Sequence, residues 1–403
     1  MSELFDDKES MPAKEREGAL FARLVKTIEV AKSQSDHYAK LFAGIKPAIA
    51  SCRENLVQFP ITRKFNVPEK QQASPPFGGL NSVGIGQMAR VFQSPGPLYE
   101  AQTTDNDFWR MGQAFHAAGF RRGDLVHNTL SYHLSPGGFI MDGGARACGC
   151  AVFPAGVGNT EVQLEVIHHL KPIGYAGTPD YLLTLLEQYE ERYGQPSSIE
   201  KAMVSGGAVT KQLQQAFDQK GVRVSQAYAS AELGLIAYQA ENDSGLVVAE
   251  DIIVEVVDPD GNPVAEGQVG EVVVTMLDDK FPLIRYATGD LSAFIPVNKS
   301  SQRTNMRLKG WLGRADMAVK VKGVFVYPHQ IQEVCHRHDV KGSLKIEREG
   351  HSDKITFCCQ EGSASMIDIQ ETLKSVTKLK GDVQFVPDMF QSEQPLIDDL
   401  REH

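Results

Sequence analysis

The sequence predicts an α/β fold: a large N-terminal α/β body with a parallel sheet plus a β subdomain, followed by a small α+β C-terminal cap domain. Three observations predict it. From Asp105 to Ala227, short apolar runs alternate with stretches of helical period, the order that builds a parallel sheet with helices on its faces. From Gly245 to Phe294 the apolar residues alternate or run in short stretches between Gly and Asp-Pro turns, as in antiparallel β-structure. After Gly313 the order strand, helix, strand, strand, helix, strand describes a separate split β-α-β unit. The predicted domains are therefore 1–312, with a β-rich subdomain at about 245–300, and 313–403.

Each element has its own reason. Leu20, Leu24, Ile28 and Ala31 recur at helical spacing and predict a helix over 17–41. Residues 66–97 are rich in Gly, Pro, Ser and Gln and read as loops and short strands. A helix over 105–118 is capped by Thr104 or Asp105, and strand 124–130 follows. Helices at 136–148, 160–170, 179–193 and 211–220 then alternate with strands at 150–153, 173–176, 201–205 and 223–227. Thr178 as cap and Pro179 at the first position start the third of these helices. In the β-rich region, Ile252 to Val257 and Glu271 to Thr275 are apolar runs separated by the turn Asp258-Pro-Asp-Gly261. The cap reads strand 318–326, helix 328–336, strands 343–347 and 354–359, helix 365–378 and strand 383–386.

Composition excludes several functions. Lys plus Arg is 41 and Asp plus Glu 51, a formal charge of −10, so no nucleic-acid or anionic-membrane partner is expected. No uninterrupted apolar run approaches the ~20 residues of a membrane span, and the charged N-terminus has no apolar signal core. A cytoplasmic location is expected. The six cysteines lack CxxC spacing, and Cys148-Gly-Cys150 among small residues reads as close packing rather than a metal site. No GxGxxG opens an early βαβ unit, which argues against a dinucleotide oxidoreductase.

Chemistry belongs at the strand ends of an open α/β sheet, and four segments fall there. Ser205-Gly206-Gly207 follows a strand and lets a ligand approach the backbone. Tyr228-Ala229-Ser230-Ala231-Glu232 offers an aromatic face, a hydroxyl and a carboxylate, although a helix start capped by Ser230 fits it equally well. Arg285-Tyr-Ala-Thr-Gly-Asp290 places a carboxylate on a Gly turn, where it can accept from a ribose diol. Gly313-Arg314-Ala-Asp316 and Lys320-Val-Lys-Gly323 mark the junction to the cap.

In order and wording these segments resemble the adenylate-forming ligase superfamily, in its phenylacetate–CoA ligase branch, over about Gly18 to Val386. Phe59-Pro-Ile-Thr-Arg-Lys64, Ala118-Gly-Phe-Arg-Arg-Gly-Asp124, Gly177-Thr-Pro-Asp-Tyr181 and Val321-Lys-Gly-Val-Phe-Val-Tyr-Pro328 share the resemblance. It implies two half-reactions: a small, aromatic carboxylic acid attacks Mg-ATP to give acyl-AMP and pyrophosphate, then coenzyme A displaces AMP. Ser205, Gly206, Gly207, Tyr228, Ala229 and Ser230 match the adenine site, Asp290 and Arg314 the ribose contacts. Glu232 matches the Mg2+ ligand, Asp316 the hinge of the cap, and Gly323 the coenzyme A tunnel. Tyr132, His133 and Ser135 match the acyl pocket; His133 and Ser135 replace a glycine and an aromatic and imply a more polar pocket, unless His133 packs beneath its loop. A homodimer is a further implication.

Three departures concern phosphate. Where the family has a Ser/Thr/Gly-rich loop with a Lys, this chain has Gln93-Ser-Pro-Gly-Pro-Leu-Tyr-Glu100, whose prolines lack N–H donors and whose Glu100 would repel a polyphosphate. Ala231 replaces a hydroxyl residue, and Gln394-Pro395 stands where a Gly-Lys pair is expected. Two readings follow: an acid–CoA ligase that positions phosphates differently, or a non-catalytic relative binding AMP, acyl-adenylate or acyl-CoA as a sensor or partner.

Overall fold

Strands buried at every position, as Gly174–Gly177 and Lys201–Val204 are, are covered on both faces, and they form the centre of a five-stranded parallel run in one large sheet. A computed structural model describes residues 4–94, 98–240, 244–298, 300–315, 319–321, 324–349, 352–361, 365–386 and 395–401. The chain divides into two compact units, Met1–Thr288 with Ser292–Gly310, and Gly289–Leu291 with Trp311–His403.

The first unit opens with α1 (Ala13–Gln34) and α2 (Asp36–Leu41). One continuous helix is not formed, because Ser35 is extended (φ −107°, ψ 121°) and turns its hydroxyl to accept from the Tyr38 N–H, capping α2. β1 (Thr62–Arg63) comes just ahead of the stretch 66–97, which holds α3 (Val67–Ala73) and β2 (Arg90–Ser94), and β2 pairs antiparallel with β3 (Leu98–Gln102). A proline in its first turn lets α3 start inside an otherwise loop-like composition.

The helix expected from Asp105 begins only at α4 (Met111–Ala117). Phe108 and Trp109 are buried, and left-handed Asp107 (φ 52°) and Arg110 (φ 60°) fold the chain to bring them inward. Then come β4 (Leu125–Asn128), α5 (Gly137–Ala147), β5 (Ala151–Pro154), α6 (Thr160–Leu170), β6 (Gly174–Gly177), α7 (Pro179–Tyr193), β7 (Lys201–Val204), α8 (Lys211–Gln219) and β8 (Arg223–Ser230). Pro179 occupies the first turn of α7 as expected, but the Thr178 side chain makes no capping bond.

Strands β5, β4, β6, β7 and β8 are parallel neighbours. The sheet continues through β9 (Gly234–Tyr238), β10 (Leu246–Val248), β15 (Arg307–Leu308) and β14 (Phe294–Ile295), giving nine strands in the order β14-β15-β10-β9-β8-β7-β6-β4-β5. A second sheet holds β11 (Ile252–Val257), β12 (Gly270–Met276) and β13 (Leu283–Ser292), with β1 parallel to β13. The stretch 245–300 is thus not one β layer: β9 folds back antiparallel on β8 and offers its free edge to β10, which draws β15 and β14 into the large sheet. The main core joins Leu24, Phe115, Val126, Met203 and Val254, while Tyr175, Leu182 and Phe217 pack a second cluster under the helices.

In the second unit β16 (Val319–Val321) and β17 (Val324–Val326) form a hairpin, followed by α9 (Pro328–His338), β18 (Gly342–Glu349), β19 (Ser352–Cys359), α10 (Met366–Thr377), β20 (Asp382–Phe385) and β21 (Ile397–Asp399). Its four-stranded sheet runs β20-β19-β18-β21 over a core of Ile331, Leu344, Phe357 and Leu373. Among the described residues no helix is long and apolar enough to cross a membrane.

Candidate functional site

From β4 the chain steps outward to β5 and then returns past β4 to β6, so a ligand crevice is expected at the carboxyl ends of β4 and β6. Asn128, last in β4, donates to the Tyr132 hydroxyl (2.7 Å), which in turn donates to Asp142 Oδ2 (3.3 Å). The Tyr132 ring meets Phe139 edge-on at 5.2 Å, and Phe139 packs against Phe92 at 5.4 Å. Of the acyl-pocket candidates, Tyr132 therefore joins an aromatic wall. Ser135 is half-buried on the loop, and His133 is exposed instead of packing beneath it.

Next in the sheet, β7 is followed by Ser205-Gly206-Gly207. Gly206 is left-handed (φ 74°), a conformation that presents exposed backbone at the strand end without a side chain in the way. Tyr228, Ala229 and Ser230 continue β8 as strand, so no helix starts at Ser230. The pairing with β9 slips between Tyr228 and Ala229, and the Ser230 hydroxyl accepts from the Leu233 N–H (3.3 Å) to close the turn.

That turn carries Glu232, only 6% exposed. Its Oε1 receives Lys64 Nζ at 2.6 Å and the Tyr286 hydroxyl at 3.4 Å. Lys64 arrives there because β1 pairs with β13, Thr62 opposite Tyr286 and Arg63 opposite Ala287. Glu232 Oε2 is buried with no hydrogen-bond partner among the described residues. Behind the turn, the Arg110 guanidinium donates to the Leu233 carbonyl and the Leu235 N–H donates to the Trp109 carbonyl (3.0 Å). Left-handed Gly234 lies so close to Trp109 that a Cβ would come within 2.6 Å of it. The misread segment 107–110 is thus the brace of the Glu232 turn.

Glu100, on β3, is 3% exposed and accepts from the Ser94 hydroxyl at 2.5 Å. Burial, and after it the charge of Glu232, push its carboxyl well above the usual carboxylate range. The same two carboxylates, after burial itself, keep the Tyr286 phenol protonated and donating. Sequence reasoning gave Lys64 no role although it ends a quoted motif. Its partner Glu232 is distant in the chain, and only the β1–β13 register brings the two together.

Arg285 of the third motif is structural. Fully buried, it grips Glu255 with two donors (3.0 and 2.9 Å) and reaches the carbonyls of Phe59 and Gly261. Farther along that motif, within the second unit, Asp290 Oδ1 accepts from Arg314 Nη1 (3.2 Å) and from the indole N–H of Trp311 (3.1 Å). Asp290 and Arg314 also form an antiparallel bridge. Gly289 is left-handed (φ 78°), and a Cβ on it would come within 2.6 Å of Arg314. Trp311, 56% exposed, was missed because its role depends on this bridge. Asp316 and Gly323, with Pro95, Pro97 and Gln394, lie outside the described residues.

Cys148 and Cys150 are free thiols pushed by burial up to about 12 and about 11. Among the described residues no group of three or more His, Cys, Asp or Glu side chains could hold a metal.

The family described as AMP-binding enzyme matches residues 102–276. A phenylacetate–coenzyme A ligase of Thermus thermophilus is 32% identical over 81% of this chain and 76% of its own length. One from Aromatoleum evansii is 30% identical over 83% and 79%. Among solved structures, an open conformation of 2-hydroxyisobutyryl-CoA ligase in complex with 2-HIB-AMP and CoA superposes with a TM-score of 0.84. The match covers 98% of this chain and 93% of that one at 22% identity, a likeness of fold.

Proposed function

Because this chain belongs to the AMP-binding enzyme family, in its phenylacetate–coenzyme A ligase branch, we propose that it activates a small aromatic carboxylic acid with ATP and passes the acyl group to coenzyme A. In the first step a carboxylate oxygen of the acid bonds to the α-phosphorus, and the bond to the bridging oxygen breaks to release pyrophosphate. In the second, the thiol sulfur of coenzyme A bonds to the acyl carbon and AMP leaves.

The observation that carries this reading is the Lys64–Glu232 pair. Lys64 supplies a fixed cation beside the carboxylate predicted to face the nucleotide's metal, in a chain that lacks the usual loop and tail lysines. A preorganised positive charge at developing phosphate charge is worth roughly 10²–10³ in rate. This favours a working ligase over a non-catalytic binder. Asp290, held by Arg314 and Trp311, accepts from the ribose diol. Tyr228 and the Ser205–Gly207 backbone flank the adenine, and the Tyr132–Phe139–Phe92 wall takes the aromatic acid. The buried, unpartnered Glu232 Oε2 fits Mg2+, which when bound neutralises polyphosphate charge. Asp316 as hinge, Gly323 along the thiol tunnel and a homodimeric, cytoplasmic protein complete the proposal.

The test is pyrophosphate release by purified protein with Mg-ATP, coenzyme A and a panel of aromatic acids. Turnover with at least one acid and formation of its thioester are expected. Absence of turnover with every acid, alongside measurable AMP binding, would overturn the ligase reading.

A further inference from the structure

The work assigned to Lys64 depends on where a strand of only two residues lies. β1 (Thr62–Arg63) is shorter than the roughly 3–10 residues usual for a strand, so its few ladder bonds to β13 leave its position to be fixed by side chains. Thr62, buried at 2% exposure, supplies the hold. His37 Nε2 and the Thr62 hydroxyl share a hydrogen bond of 3.2 Å, and the same hydroxyl bonds the Tyr38 phenol. That phenol accepts from the Ile284 N–H at 2.9 Å, and Ile284 lies two residues before Tyr286, which faces Thr62 across the pairing. Two neighbouring residues of α2 thus clamp β1 to β13. The clamp is itself anchored, since the His37 N–H donates to the Gly79 carbonyl (3.1 Å) and its ring meets Tyr38 edge-on at 4.9 Å. Burial, and after it the charge of Lys70, push the His37 imidazole down to about 4, so at neutral pH an uncharged ring meets an uncharged hydroxyl.

We infer that His37 is a positioning residue for the Lys64 ammonium: through Thr62 it holds β1 in the place from which Lys64 reaches Glu232. One register serves both contacts. With Thr62 opposite Tyr286, the Tyr286 hydroxyl (3.4 Å) and Lys64 Nζ (2.6 Å) meet on the same oxygen, Glu232 Oε1. If β1 drifts, the Tyr286 contact stays with β13 and the Lys64 contact does not. A displacement of about 1 Å, set up away from the chemistry, can cost as much as 10²-fold in rate. His37 acts only through the lysine. This rests on the proposed function in taking Lys64 as the cation that serves the phosphates.

The experiment is a double-mutant cycle between positions 37 and 64 on the full chain, read as kcat for pyrophosphate release and as Tm. His37→Phe keeps an aromatic ring and loses the bond to Thr62; it is expected to lower kcat about tenfold, with KM for the acid within about threefold. In the Lys64→Met background the same substitution changes kcat by less than about twofold. His37→Gln, whose amide still bonds the hydroxyl, stays within about threefold of the wild-type kcat. A loss that persists undiminished in Lys64→Met is general structural damage and overturns the proposal, as does a His37→Phe enzyme with wild-type kcat. Should His37→Phe fail to fold, Thr62→Val runs the same cycle from the other side of the bond. If no acid is turned over, the proposed function fails and the Tm arm still decides. Lys64→Met should then take less than about half as much from His37→Phe as from the wild type, and an equal loss overturns the clamp.

Discussion

Lys64→Met removes the cation from Glu232 and leaves the carboxylate, 6% exposed, with the Tyr286 hydroxyl at 3.4 Å on the oxygen that Lys64 held. At the observed 2.6 Å the pair's Coulomb attraction is about 6 kcal/mol at an effective dielectric of 20 and about 1.6 kcal/mol at 80. The Lys64 side chain is 34% exposed, so solvent screens the pair and part of the gain is spent on desolvation. A loss of about 1–3 kcal/mol in stability is expected. In a unit of this size that is a fall of roughly 2–10 °C in Tm. The catalytic cost is separate. Losing one preorganised cation lowers kcat by about 10²–10³, with AMP affinity nearly unchanged because Lys64 is assigned to phosphates that AMP lacks. Pyrophosphate release at saturating ATP and thermal unfolding measure the two effects. The double variant Lys64→Met/Glu232→Gln should recover much of the stability and none of the rate. A Lys64→Met protein turning over within threefold of wild type refutes the assignment.

Asp290→Ala should weaken AMP binding at least about 100-fold, since two charge-assisted bonds to the diol are lost; calorimetry that finds an unchanged affinity would place the ribose elsewhere. Arg285→Met strands the buried Glu255 and should cost about 3–5 kcal/mol in chemical denaturation, whereas Arg285→Met/Glu255→Met should cost clearly less. Burial raises the Asp107 carboxyl from 3.8 to about 6. Folding therefore favours its protonated form, and the resulting stability, present in full below about pH 4, is lost as pH rises to about 6, on the order of 3 kcal/mol. Asp107→Asn, which can still accept from the Gly112 N–H, should flatten denaturation midpoints across that window.

The α/β class was legible because the parallel strands and their helices obey local rules. Helices 160–170 and 179–193 stand where periodicity put them. The failures are tertiary. Nothing local marks Asp107 and Arg110 as left-handed; the burial of Phe108 and Trp109 between them imposes it. Ser35 interrupts a helical period because its hydroxyl caps the next helix better than it continues the last. The polar run Ile397–Asp399 is a strand only because the edge of β18 is open to it. Of the proposed site residues, Tyr228, Glu232 and Asp290 take their assignment from wording alone. The partners of the last two do not: Lys64 and Trp311 are brought in by β1 beside β13 and by the bridge at Arg314. Glu100 was visible as a misfit against phosphate, but its confrontation with Glu232 belongs to the packing of the hairpin.

The slip between β8 and β9 sets a rule for how this hairpin can change over time. Before it Tyr228 faces Ala237; after it Ala229 faces Leu235, so Ile236 is the supernumerary residue. Successive residues of a strand point to opposite faces, and this single extra residue determines on which side the 231–233 turn emerges. Length here is a parity. Side chains around Ile236 can be exchanged for others of similar bulk. An insertion or deletion of one residue would present the Glu232 turn to the opposite face of the sheet, away from β1 and from Lys64, which follows it. Deletion scanning across 229–238 should therefore find a gap in which substitutions survive and every single-residue change of length is lost.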